Sequence, residues 1–133
     1  MNSQISRSSD FLRAVLIVDA IATGATALAM AALSGPLAGW LHLPAALLFW
    51  AGAALVPWVA FVASLSRRAL IPARDVRAVV VGNALWAVGC VTLALAGGAS
   101  ALGVAFLLVQ ALVVAAFAEL QVVGLRRAPL TAS

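Results

Sequence analysis

The sequence is poor in the residues that catalytic and soluble proteins depend on. It has one histidine (His42), one cysteine (Cys90), no tyrosine and no lysine, and only four acidic residues against eight arginines. One histidine and one cysteine cannot supply the three or four ligands that a metal usually takes within one chain. A haem on His42 would need a second ligand from another chain or from Met30 in the neighbouring segment. A lone loop histidine assembles no Ser/His/Asp set, and Gly97-Gly98 lacks both the lysine and the flanking strand of a phosphate-binding loop. A single cysteine also rules out a disulfide within the chain. These absences point to a non-enzymatic protein without metal or cofactor.

Charge is scarce as well. The chain is 65% hydrophobic and 9% charged, and its mean hydropathy is +1.16. Soluble domains carry roughly 45–50% apolar and about 25% charged residues, so this chain has too little polar surface to face water. It reads as an integral membrane protein. The apolar residues fall into four blocks, about 11–33, 44–65, 76–96 and 101–125. Each is long enough for a helix to cross a hydrocarbon core of about 30 Å, which takes about 20 residues. Continuous rather than alternating apolarity argues against strands, whose open edges cannot face lipid. The expected fold is therefore an all-α membrane protein, a four-transmembrane-helix bundle over residues 11–127. Short tails, 1–10 and 128–133, flank it.

Arginine sets the orientation. Arg7 and Arg13 precede span one; Arg67, Arg68, Arg74 and Arg77 lie between spans two and three; Arg126 and Arg127 follow span four. The connections "SGPLAGWLHL" and "GGAS" carry neither arginine nor acid. All eight arginines thus fall on one side, which the positive-inside bias places in the cytoplasm together with both termini. A bacterial inner membrane is the expected location. The net charge of +4 and pI near 11.5 do not indicate nucleic acid. The basic residues are juxtamembrane, where they attract anionic headgroups, and no aromatic residues alternate with them. "ALAMAA" resembles a signal-peptidase site, but Asp19 interrupts the apolar run that a signal needs, so span one reads as an uncleaved anchor.

What the chain does have is an echo. "RAVLIVDAIA" (Arg13–Ala22) and "RAVVVGNALW" (Arg77–Trp86) start alike and place Asp19 and Asn83 at matching positions, while Arg67-Arg68 and Arg126-Arg127 close spans two and four. This fits a helix hairpin used twice in one orientation, related by a pseudo-two-fold axis along the membrane normal. Alanine-rich helices and one-sided arginine produce similar echoes without duplication. Chain breakers agree with the block limits. Gly35 and Pro36 mark the first outer turn, Pro44 suits the first turn of span two, and Pro72 and Asp75 precede span three. Pro57, inside span two, is expected to kink it and free the carbonyl of Ala53.

Asp19 lies six residues past Arg13, Asn83 six past Arg77, and Glu119 seven before Arg126. At 1.5 Å rise per residue all three sit about 9–11 Å from their arginines. They form a candidate polar layer, Asp19, Thr23, Asn83 and Glu119, with Thr26 continuing the Asp19–Thr23 stripe. An intramembrane carboxylate costs about 2.5–3.5 kcal/mol on insertion scales and therefore seeks the bundle interior. On span four, Gln110 and Gln121 share a face while Glu119 lies almost opposite. If Glu119 faces inward, Gln110 and Gln121 become candidate contacts to an oligomer or partner. The plainer alternatives are an ion pair of Asp19 with Arg13, a bonded Asp19–Asn83 pair that only fixes packing, and Glu119 snorkelling toward Arg126. Trp40 suits an outer aromatic belt, Trp50, Trp58 and Trp86 suit packing, and His42 suits a solvated loop.

The stretches "WLHLPAALLFWAGAALVPW", "NALW" and "LGVAFLLVQALVVAAFAELQVVGLRR" resemble a family of small four-span integral inner-membrane proteins common in bacterial genomes. The resemblance runs from about Asp19 to Arg127 and implies four helices, with Asp19, Asn83, Trp86, Gln110 and Glu119 as the distinguishing positions. It implies no activity. Small multidrug exporters share the four spans and a carboxylate in span one. Theirs is a glutamate amid aromatic motifs that this chain lacks, and one-sided arginine does not suit a dual-topology dimer. Two functional expectations follow. One is an accessory or structural subunit, in a homo-oligomer or with a membrane-protein partner. The other is a small proton-coupled transporter or channel with Asp19 as the proton-carrying carboxylate.

Overall fold

In the computed structural model, which describes residues 2–127, five helices account for the fold and no strand occurs among the described residues. They are α1 (Asn2–Ala32), α2 (Ser34–Leu41), α3 (Ala45–Ser66), α4 (Ala73–Ala96) and α5 (Ala101–Arg127). Four of them hold apolar segments long enough to cross a membrane: Asp10–Ala32 within α1, and α3, α4 and α5 in full. The chain is thus an all-helical, multi-pass membrane protein. Large apolar side chains such as Leu95 and Leu112, 82% and 72% exposed, stand on the outside of the bundle. Lipid, not water, is the solvent that tolerates them.

The spans fall within a few residues of the apolar blocks, because continuous apolarity leaves a helix no alternative in hydrocarbon. Two features differ from the sequence reading. Most of the expected N-terminal tail extends α1 back to Asn2, while Met1 and the tail 128–133 lie outside the described residues. The first outer connection is largely helical rather than a loop. Pro36 sits in the first turn of α2, where no backbone N–H is required of it. The helix ends at His42, whose backbone is left-handed (φ 53°). Ser100 then ties this end to α5: its N–H donates to the Leu41 carbonyl at 3.0 Å and its hydroxyl to that of Trp40 at 2.7 Å. Pro57, where a kink is expected, lies inside α3.

Packing follows the hairpins. α1 lies chiefly against α3, α4 against α5, and α1 against α5 joins the two pairs. Without a hydrophobic drive between helices in lipid, close approach needs small residues. Gly52 supplies one: a Cβ there would lie 2.8 Å from both the Ala27 carbonyl and the Ala31 nitrogen of α1. Gly124 supplies another, where a Cβ would meet the Leu12 Cδ1 at 3.0 Å and bring α1 and α5 into conflict. A two-fold relation between hairpins would match the α1–α5 contact with one between α3 and α4. These two helices have no comparable backbone approach. Trp58 of α3 instead reaches across so that its indole lies over Gly82 of α4.

The arginine end is held by α1. The Arg13 guanidinium donates to the carbonyls of Ser66 and Arg68, capping the end of α3, where helical carbonyls lack partners. Arg13 forms no ion pair with Asp19. Beside it, Leu12, Leu16, Val62, Leu65, Ile71, Val76 and Val79 make a closed apolar core. Across the α3–α4 turn Asp75 pairs with Arg68 at 3.5 Å, an exposed contact of small energetic weight.

Candidate functional site: a polar clasp beneath a cavity

Asp19 is 1% exposed, so its oxygens need partners from the protein. Thr23, one helical turn further along α1, donates its hydroxyl to Oδ1 at 2.9 Å. Asn83 Nδ2 donates to Oδ2 at 3.0 Å, and Gln121 Nε2 donates to the same oxygen at 2.6 Å. The second hydrogen of Asn83 Nδ2 goes to Gln121 Oε1 at 3.1 Å. The four side chains thus form one network in which Asp19 only accepts, and α1, α4 and α5 meet at a single point. No sealed side-chain polar atom among the described residues lacks a partner. Closed networks of this kind, in low dielectric, are worth more than isolated pairs.

The echo in the sequence brought the right residues together: Asp19 and Asn83, matched sixty-four positions apart, are bonded to each other, and Thr23 joins them. On α5 the assignment of faces is reversed. Gln121 is fully buried within the clasp, so it is no contact for an oligomer. Glu119 does not belong to the polar layer, because its side chain is exposed on the outer side of α5. Gln110 also turns inward, accepting the Trp86 indole N–H at 3.0 Å. The spacing of Gln110, Gln121 and Glu119 was informative, but not which face looks in. A signal for that was present: Gly103, Leu107, Ala111, Val114, Ala118 and Gly124 recur on the Gln121 side, and all are buried. Small residues at that spacing mark the close-packed face of a membrane helix.

Beyond the clasp, toward the end of the bundle opposite the arginines, the helices part around a cavity of about 740 Å³. Thr23, Asn83 and Phe117 line its clasp end, Trp86 and Gln110 its flank, and Leu37 and Trp40 of α2 its far end. No charged side chain lines it. A second space of about 600 Å³ lies in the gap between α3 and α4, bordered by Leu47, Ala51, Leu85 and Gly89. Both spaces share Gly82, Trp86, Phe106 and Gln110 in their walls.

Against family models, curated proteins and solved structures the chain finds no match.

Proposed function

We propose that this chain is a non-enzymatic integral protein of the bacterial inner membrane, serving as a structural or accessory subunit of a membrane assembly. The arginine face and both termini lie in the cytoplasm on this reading, in keeping with the positive-inside bias and with the resemblance to small four-span inner-membrane proteins. The observation that carries it is Glu119. This carboxylate is exposed on the outer face of a spanning helix, and neither ion pair among the described residues involves it. An ionisable group in such a position is expensive in lipid and calls for a partner outside its own bundle. A second copy or another membrane protein that donates hydrogen bonds to Glu119 meets that need.

The test is extraction from native membranes in a mild detergent, followed by mass measurement of the intact species. A stoichiometric complex is expected, and Glu119→Ala should dissociate it. A monodisperse monomer from both wild type and variant would overturn the reading.

A second reading, proton-coupled transport, is favoured by one specific observation: Thr23 and Asn83 belong both to the Asp19 clasp and to the cavity wall. Proton flux into liposomes measures it. Equal flux for wild type and Asp19→Asn under every imposed gradient would remove it.

A further inference from the structure

The amides of Asn83 and Gln110 are oriented by their partners. Asn83 turns its Nδ2 toward the Asp19 carboxylate, which accepts from it, and both hydrogens of that nitrogen are then used. The Asn83 Oδ1 takes no hydrogen bond in the structure. Every sealed polar side-chain atom among the described residues has a partner, so this oxygen is not sealed although the residue is only 3% exposed, and the cavity is the space that Asn83 lines. The Trp86 indole, in turn, only donates, so Gln110 must offer it Oε1. That leaves the Gln110 Nε2 hydrogens without a partner, on a residue that lines this cavity and the space between α3 and α4. Trp86 follows Asn83 by one helical turn, which sets the free acceptor and the free donor roughly 5 Å apart in depth.

We propose that this cavity is a binding site for a neutral, mostly apolar small molecule. The ligand carries a hydroxyl or N–H for Asn83 Oδ1 and a carbonyl oxygen for the Gln110 amide. The volume of about 740 Å³ lies in the range of ligand pockets, roughly 300–1,000 Å³. Apart from Thr23 and Thr26, whose hydroxyls are already bonded within α1, the remaining lining, including Trp40, Trp58 and Phe106, is apolar or aromatic and suits an acyl chain or a ring. An ionic group would find no countercharge there. The ligand's polar end sits at the clasp and its apolar body points toward α2. This assignment is independent of the subunit reading, since Glu119 lies on the outer side of α5.

Three probes with one tail separate hydrogen bonding from partition into lipid: monodecanoylglycerol (carbonyl and hydroxyls), methyl decanoate (carbonyl only) and decanoate (charged). With the full chain in phosphatidylcholine nanodiscs, native mass spectrometry counts the bound molecules. Monodecanoylglycerol is expected to bind at least tenfold more tightly than the other two. Gln110→Leu should remove that preference. Ala54→Phe, which fills the cavity from α3 and touches no hydrogen bond, should weaken monodecanoylglycerol at least tenfold while leaving the circular dichroism spectrum unchanged. Equal binding of all three probes, or a preference that survives both substitutions, would mean that only ordinary lipid partition occurs, and the site would be withdrawn.

Discussion

Toward the arginine end, α1, α4 and α5 converge on Asp19, Asn83 and Gln121, which share three hydrogen bonds of 2.6–3.1 Å. Toward the opposite end the same helices diverge around the cavity between Asn83 and α2. Both halves are about equally apolar, so composition does not explain the difference. In lipid, apolar helices gain little from touching one another, and they close only where hydrogen bonds or small residues draw them together. Between the hairpins the arginine half has both, in the clasp and in Gly124 against Leu12, whereas the close approaches of the other half are Gly52 of α3 against α1 and Gly103 of α5 against the Leu41 carbonyl of α2. There Trp86 and Phe106 line the cavity, and a Cβ on Gly89 would meet nothing within 4 Å. α1, α4 and α5 are fastened together at the arginine end, while at the other end they part around the cavity and Ser100 ties α2 to α5.

Substitutions that act in one half but not the other sharpen this contrast. The largest effect is expected from Asn83→Leu. It leaves the Asp19 carboxylate and the Gln121 carbonyl each short of a donor, a loss of roughly 3 kcal/mol that reversible unfolding in mixed micelles should read directly. Thr23→Val removes one bond to Asp19 and should cost about 1.5 kcal/mol by the same measurement. Two identical changes then compare the halves. Gly124→Ala, which presses α5 on Leu12, should destabilise by about 1 kcal/mol net of its gain in helix propensity. Gly89→Ala meets open space and should instead stabilise by about 0.5 kcal/mol. Equal shifts for the two glycines, in size and sign, would break the comparison.

Much of this was legible in the letters. Four continuous apolar blocks leave only spanning helices as a solution, so their limits differ from α1, α3, α4 and α5 mainly at the polar ends. The Asp19–Asn83 pair was legible because the arginines act as a depth gauge and place equal offsets at one level. Thr23 followed from i to i+4 spacing. The role of Gln121 was not, because depth and angular spacing on α5 allow either face to look inward. The small residues Gly103, Ala111, Ala118 and Gly124 on the Gln121 side carry that choice, and all are buried. The α2 helix was hidden because glycine and proline mark a turn as readily as the first turn of a helix. The cavity was hidden for a different reason: a sequence states which side chains are present, not where they fail to meet.

The central claim is that Asp19, Asn83 and Gln121 act as one unit that joins the hairpins. A double-mutant cycle on unfolding free energy tests it most directly, with Asp19→Leu, Asn83→Leu and the two combined. Because Asn83→Leu alone leaves a buried carboxylate short of a donor and the combined variant removes that carboxylate, the combined variant should be more stable than Asn83→Leu alone, with a coupling of roughly 1–3 kcal/mol. Losses that simply add would mean that the two side chains do not depend on each other, and the clasp would not be what fastens the bundle.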